Sequence, residues 1–144
     1  MIRRATRDDA GAVLAIERAA FGDDAWSDVL VELELVAPGR LVLIAEQDDG
    51  PVAYASAAVV ADVADLTRVA VAPTARRSGL GRTLLTDLLG RVAALGAGRM
   101  MLEVADANEP ALGLYRAVGF VEIARRRDYY GRGRDAVVME VATR

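Results

Sequence analysis

Leu80, Leu84, Leu85, Leu88, Val92 and Leu95 recur at helical spacing, and the apolar runs on either side of them are short and strand-like. This contrast of periods sets out the elements. A first strand at 2–5 is followed by Thr6 and Asp9 at capping-box spacing and a helix to about 20. Residues 21–26 form a turn, Ser27 caps a second helix to 36, and Pro38-Gly39 ends it. Strands follow at 41–46, 52–60 and 63–71, with Asp48-Asp49-Gly50-Pro51 as the first hairpin turn. The helix that opens at Leu80 ends near 96, and a strand occupies 100–105. Asn108 or Asp106 caps a shorter helix to 118, and strands at 120–127 and 136–141 close the chain. The order β-α-α-β-β-β-α-β-α-β-β predicts an α/β (α+β) fold with a mixed, mostly antiparallel sheet and helices on both faces.

A chain of 144 residues, 53% apolar, suits one domain with a sizeable core, so residues 1–144 are read as a single domain. The net charge of −3 offers no electrostatic footprint for nucleic acid. Cysteine and histidine are both absent. That removes disulfides, thiolate zinc sites, a cysteine acyl-enzyme and a histidine base, and no metal is expected. Any general base must be a carboxylate, a tyrosine, the N-terminal amine or a relayed water. The charged start, Met1 to Asp9, lacks the apolar core of a signal peptide, and the apolar stretch at 52–61 is too short for a membrane span. A soluble, cytoplasmic protein with no membrane contact is the expectation.

Composition alone names no chemistry; one loop does. Arg76-Arg77-Ser78-Gly79-Leu80-Gly81 joins the strand at 63–71 to the helix and runs into Arg82-Thr83. The first turn of a helix has unpartnered N–H groups and partial positive charge, and flanking arginines add full charge. The result is a socket for phosphate or pyrophosphate. A P-loop is excluded because the chain has no lysine. A dinucleotide fingerprint fits poorly, because Leu84 stands where its third glycine belongs.

Arg76, Gly79 and Gly81 do satisfy [RQ]-x-x-G-x-[GA], which resembles the acetyl-CoA pyrophosphate loop of the GCN5-related N-acetyltransferases. Leu102-Glu103-Val104, Asn108, Leu114-Tyr115 and Val118-Gly119-Phe120 are similar to a second segment of that family. Phe21 to Ser27 and Arg126-Arg127-Asp128-Tyr129-Tyr130 resemble the bacterial ribosomal-protein-alanine N-acetyltransferase subfamily. Two positions depart from the pattern: Gly131 stands where some members carry proline, and Arg68 where a smaller polar residue is expected.

The resemblance implies acetyl-CoA as co-substrate and a protein N-terminus, that of a ribosomal protein, as acceptor. It implies that the backbone of Val69, Ala70 and Val71 pairs with the pantetheine arm. Arg76, Arg77, Ser78, Gly79, Leu80, Gly81, Arg82 and Thr83 would hold the pyrophosphate, with Asn108 contacting the arm, capping its helix, or both. Glu103 is the candidate base, expected to be buried with a raised pKa, against the plainer reading of an exposed strand carboxylate paired to an arginine, and Asp65 is its reserve. Tyr115 is the candidate acid. Trp26, Asp23, Asp24, Tyr129 and Tyr130 are candidates for acceptor binding, against the plainer reading of a solvated turn, a core tryptophan and an aromatic hairpin end. A protein α-amine titrates at about 7.7–8.0 and a lysine at about 10.4, so a weak base suits an α-amine better. Without cysteine, direct transfer in a ternary complex is favoured. The rival readings are a small-molecule amine or a lysine as acceptor, and a CoA-binding regulatory module without turnover.

Overall fold

The computed structural model describes residues 1–143. Strands β1 (Ile2–Arg4), β2 (Arg40–Gln47), β3 (Gly50–Val60), β4 (Val63–Val71), β5 (Arg99–Ala105), β6 (Val121–Arg126) and β7 (Ala136–Ala142) form one sheet. Helices α1 (Ala10–Phe21), α2 (Asp28–Val36), α3 (Leu80–Ala94) and α4 (Glu109–Val118) lie between them in the expected order. The sheet order is β1-β2-β3-β4-β5-β7-β6. Every neighbouring pair is antiparallel except β4 and β5. The expected mixed, mostly antiparallel sheet is therefore present.

The alternation of side chains along β2, β3 and β4 builds two cores. On one face Leu41, Leu43, Ala45, Ala53, Ala55 and Ala57 meet Leu84, Leu85, Leu88 and Val92 of α3 and Leu112 of α4. On the other, Val42, Ile44, Tyr54 and Ala70 meet Val13 and Ile16 of α1 and Val31 of α2. Helices thus cover both faces. The small alanines of β3 leave room for the leucine ridge of α3.

Local signals hold up with one adjustment. The Thr6 N–H donates to Asp9 Oδ2 at 2.8 Å, but the first turn, Arg7–Asp9, is a 3₁₀ turn and the α-helix begins at Ala10. Ser27 caps α2 by accepting from the Leu30 N–H at 3.2 Å.

Asp9 also receives Arg3, whose Nη1 and Nη2 donate to its two oxygens at 2.9 and 2.7 Å. These charge-assisted bonds, against the opposing effect of burial, lower the Asp9 carboxyl to about 2. A depressed folded-state pKa contributes stability above the unfolded value and loses it as pH falls towards the folded one. Asp9→Asn should therefore cost about 1 kcal/mol near pH 7, allowing for the solvent that reaches Arg3, and progressively less below about pH 4. Urea unfolding of both proteins at about pH 7 and about pH 3 measures the difference. A gap of equal size at both pH values would rule out this linkage.

Candidate active site

The site opens where the sheet comes apart. β4 and β5 pair in parallel only through Val63, Ala64 and Asp65 against Arg99, Met100 and Met101. Beyond that rung no ladder joins them. A bulge helps to turn β4 away, since the register with β3 passes from Ser56↔Arg68 to Ala57↔Leu66 and leaves Thr67 extra. The Ala72 N–H donates to the Val52 carbonyl at 2.8 Å. Antiparallel alternation then puts Ala70 in a hydrogen-bonded pair with Tyr54 and leaves Val69 and Val71 in non-bonded pairs. The backbone groups of Val69 and Val71 consequently face the gap, a free strand edge inside the protein. One of them is used: the Val71 carbonyl accepts from Arg76 Nε at 3.1 Å.

The gap widens into a cavity of about 1100 Å³ walled by β4, the loop after it, the start of α3, β5 and α4. The loop carries two left-handed residues, Arg77 at φ 64° and Gly79 at φ 78°. A glycine relieves the second of them. The Thr83 N–H and hydroxyl both donate to the Gly79 carbonyl at 3.0 Å, and no side chain caps the helix. Among the described residues the consecutive amides of Arg77 to Arg82 find no backbone acceptor. At Gly81 a Cβ would make only ordinary contact with Leu114 at 3.5 Å and Val71 at 3.6 Å, so packing does not itself demand a glycine there.

Arg76 is less free than expected of a phosphate ligand. Its Nη2 also donates to the Ala20 carbonyl at 3.2 Å, so its side chain ties the end of α1 to the end of β4. Arg77, Gly79, Leu80, Gly81 and Arg82 line the cavity. Ala70, Ser78 and Thr83 do not. Ala70 is buried on the opposite face of the sheet, and the Ser78 hydroxyl donates back to the Ala75 carbonyl at 2.6 Å.

Across the gap, β5 and α4 contribute Glu103, Asn108 and Tyr115 to the wall. Glu103 is exposed and ion-paired, with Oε1 3.1 Å from Arg126 Nη2. The expected burial is therefore corrected: the cluster under α1 and α2 draws on β2, β3 and β4 and includes no residue of β5, so that face of β5 stays open. Asp65 lies on the last paired rung, exposed and off the cavity. Asn108, rather than Asp106, caps α4, its Oδ1 accepting from the Ala111 N–H at 3.3 Å. It lines the cavity as well. Tyr115 packs edge-on against Phe120 with ring centroids 5.8 Å apart. Burial raises its hydroxyl above the ordinary phenol range, partly offset by the positive charge of Arg68.

On the acceptor side the predicted residues divide. Asp24 and Tyr130 line the cavity; Asp23, Trp26 and Tyr129 do not. Trp26 packs against the core beneath α1 and α2. Tyr129 stands edge-on to Tyr130 at 5.1 Å, with the Arg126 guanidinium 5.4 Å from its ring. Glu17, which sequence reasoning missed, is fully buried and accepts from Arg68, Tyr54 and the Trp26 N–H. Its signal was present: Val13, Ile16 and Glu17 share the apolar stripe of α1, so a carboxylate stood on a core face.

A splayed mixed sheet, with an open strand edge leading to an uncapped glycine-rich helix start, defines an acyl-CoA-dependent transferase fold. The sequence profile of the Acetyltransferase (GNAT) family matches residues 11–120, and the chain belongs to that family. Within it, the chain is 40% identical over 95 residues to the [ribosomal protein bS18]-alanine N-acetyltransferase of Salmonella typhimurium (strain LT2). That match spans 64% of this chain and 64% of the relative, just under two thirds of its length. A putative enzyme of the same name from Bacillus subtilis is 31% identical over 141 residues, covering 97% of this chain and 93% of the other. The crystal structure of the ribosomal-protein-S18-alanine N-acetyltransferase from Escherichia coli superposes with a TM-score of 0.90. It is 32% identical and covers 99% of this chain and 93% of that one.

Proposed function

We propose that residues 1–144 form one catalytic domain that transfers acetyl from acetyl-CoA to a protein N-terminal α-amine in the cytoplasm. By analogy with its relatives, the acceptor is the N-terminal alanine of a ribosomal protein. The observation that carries this reading is a single cavity uniting the open Arg77 to Arg82 amides with Glu103 and Tyr115. The residues fit the cofactor: uncapped amides with Arg77 and Arg82 beside them suit a pyrophosphate, and a free strand edge suits the amides of an extended arm. Acetyl-CoA supplies an activated acyl group as a thioester.

The chain's own groups divide the remaining work. Val69 presents its backbone N–H and carbonyl and Val71 its N–H along the gap, the Val71 carbonyl being taken by Arg76, and Asn108 retains an amide N–H pair there. An N–H at the end of β4 polarises the carbonyl that is attacked. Glu103, exposed and paired to Arg126, receives the amine proton directly or through water, which is a small task for an α-amine. Tyr115, kept protonated by burial, donates to the departing sulfur. Amine and thioester react while held together, and proximity supplies much of the rate.

The direct test incubates the protein and acetyl-CoA with an Ala-Arg-starting peptide containing an internal lysine, and maps acetate by mass spectrometry. Acetylation of the α-amine alone is expected. Acetate on the lysine would sink the N-terminal assignment in favour of a side-chain or small-amine acceptor. Binding of CoA with no transfer to any amine would point to a regulatory module.

A further inference from the structure

A buried carboxylate persists only when its oxygens are fully used. Glu17 Oε1 accepts from the Trp26 N–H at 2.8 Å and from Arg68 Nη2 at 2.7 Å. Its Oε2 accepts from Arg68 Nε at 2.9 Å and from the Tyr54 hydroxyl. Arg68 Nη2 also donates to the Asp24 carbonyl at 3.2 Å. The guanidinium lies 3.9 Å from the Phe21 ring centroid and 4.9 Å from that of Trp26. Position, plane and rotation of the group are thereby set before any acceptor arrives. Arg68 lines the cavity, next along β4 to Val69, and its Nη1 has no acceptor among the described residues. A fork fixed on one side and open on the other is a preorganised donor.

We propose that Arg68 is an acceptor-binding, specificity-determining residue whose Nη1 donates to the carbonyl oxygen of the residue being acetylated, selecting α-aminoacyl amines over amines lacking a neighbouring carbonyl. The assignment rests on the N-terminal reading above and supplies its missing discrimination. In a peptide, the carbon bearing the α-amine is bonded directly to a carbonyl. A lysine ε-amine or a polyamine has no carbonyl there. A site built around a hydrogen bond rejects the analogue that leaves its donor unpaired. The other polar groups on this wall do not duplicate the role. Asp24 and Glu103 carry carboxylates, which accept rather than donate, and Tyr115 is assigned to the leaving sulfur. Thr67 commits its hydroxyl to Glu34 and the Ser56 carbonyl, and Tyr130 and Arg134 belong to the segment between β6 and β7. Arg68 stays charged throughout and exchanges no proton.

The experiment compares two acceptors, each assayed at a pH where its amine is neutral: an Ala-Arg peptide, and the same peptide with its first amide replaced by an E-alkene, which keeps the shape and removes the carbonyl oxygen with the amide N–H. The wild-type protein should favour the peptide in kcat/KM by about tenfold or more. Arg68→Gln alone leaves Glu17 buried without its cation, so the informative variant is Glu17→Gln combined with Arg68→Gln. It should bring the two acceptors to within about twofold, with the KM for acetyl-CoA unchanged and a melting temperature near wild type. A double variant that keeps the wild-type preference overturns the assignment, as does one whose KM for acetyl-CoA rises in step with that for the acceptor. Wild-type protein that uses both acceptors equally also overturns it, whether or not the variant folds. Wild-type protein that acetylates only a lysine fails the N-terminal reading itself, and this assignment falls with it.

Discussion

Replacing Tyr115 by Phe is expected to lower kcat by about a hundredfold or more, with the Kd for acetyl-CoA and the melting temperature close to wild type. The ring packs edge-on against Phe120, an arrangement that phenylalanine keeps, and the hydroxyl has no hydrogen-bond partner among the described residues. Removing it therefore costs the fold little. Burial holds that hydroxyl protonated well past neutral pH, so the donor is present throughout the working range. Glu103→Gln should cost less than Tyr115→Phe with an α-amine acceptor, because such an amine is already substantially neutral near pH 8. Steady-state kinetics with both substrates varied, together with calorimetric CoA binding, separates chemistry from binding. A Tyr115→Phe protein with undiminished kcat would remove Tyr115 from the reaction.

The second large effect concerns stability. Glu17→Ala should destabilise the protein by about 3–5 kcal/mol, out of the roughly 5–15 kcal/mol that holds a domain of this kind together. Burial alone would raise this carboxyl, but the donors from Arg68, the Trp26 N–H and Tyr54 outweigh it and keep it below the ordinary range. Truncation to alanine strands all of these donors at once: the Arg68 fork, the Trp26 amide and the Tyr54 hydroxyl, which is itself almost fully buried. Urea denaturation measures the loss. A change below about 1 kcal/mol would mean that water or a rotated Arg68 satisfies the same groups, and the fixed geometry argued for Arg68 would go with it.

The expectation for Arg68 shows where reading in one dimension stops. On the sequence it looked like an intrusion on a strand that wanted a smaller polar side chain. Its reason lies on α1, far away in the chain, where Glu17 occupies a core position. Each residue is anomalous by itself and ordinary as a pair. Trp26 and Asp24 sit close together on one turn, yet the turn sends the first into the core and sets the second on the cavity wall. Glu103 misled in the opposite direction. Alternation along β5 correctly set it opposite Leu102 and Val104, but alternation cannot say whether the other face is covered.

What the chain carries locally was legible without a structure. Helical and strand periods, caps at Ser27 and at Asn108 or Asp106, and breaks at Pro38-Gly39 act over a few residues, and they settled the element order and the two-faced sheet. The glycine-rich start of α3 is local too, because unpaired amides belong to any helix terminus. Tertiary structure alone decided the rest. The parting of β4 from β5 depends on where a parallel pairing stops and on a bulge against a third strand, and neither has a signature in its own segment. That parting turns the backbone of Val69 and Val71 into an open edge and brings Arg68, Glu103, Tyr115 and the α3 amides around one space. Such long-range register is set by the packing of both faces at once, so it becomes visible only when the whole sheet is assembled.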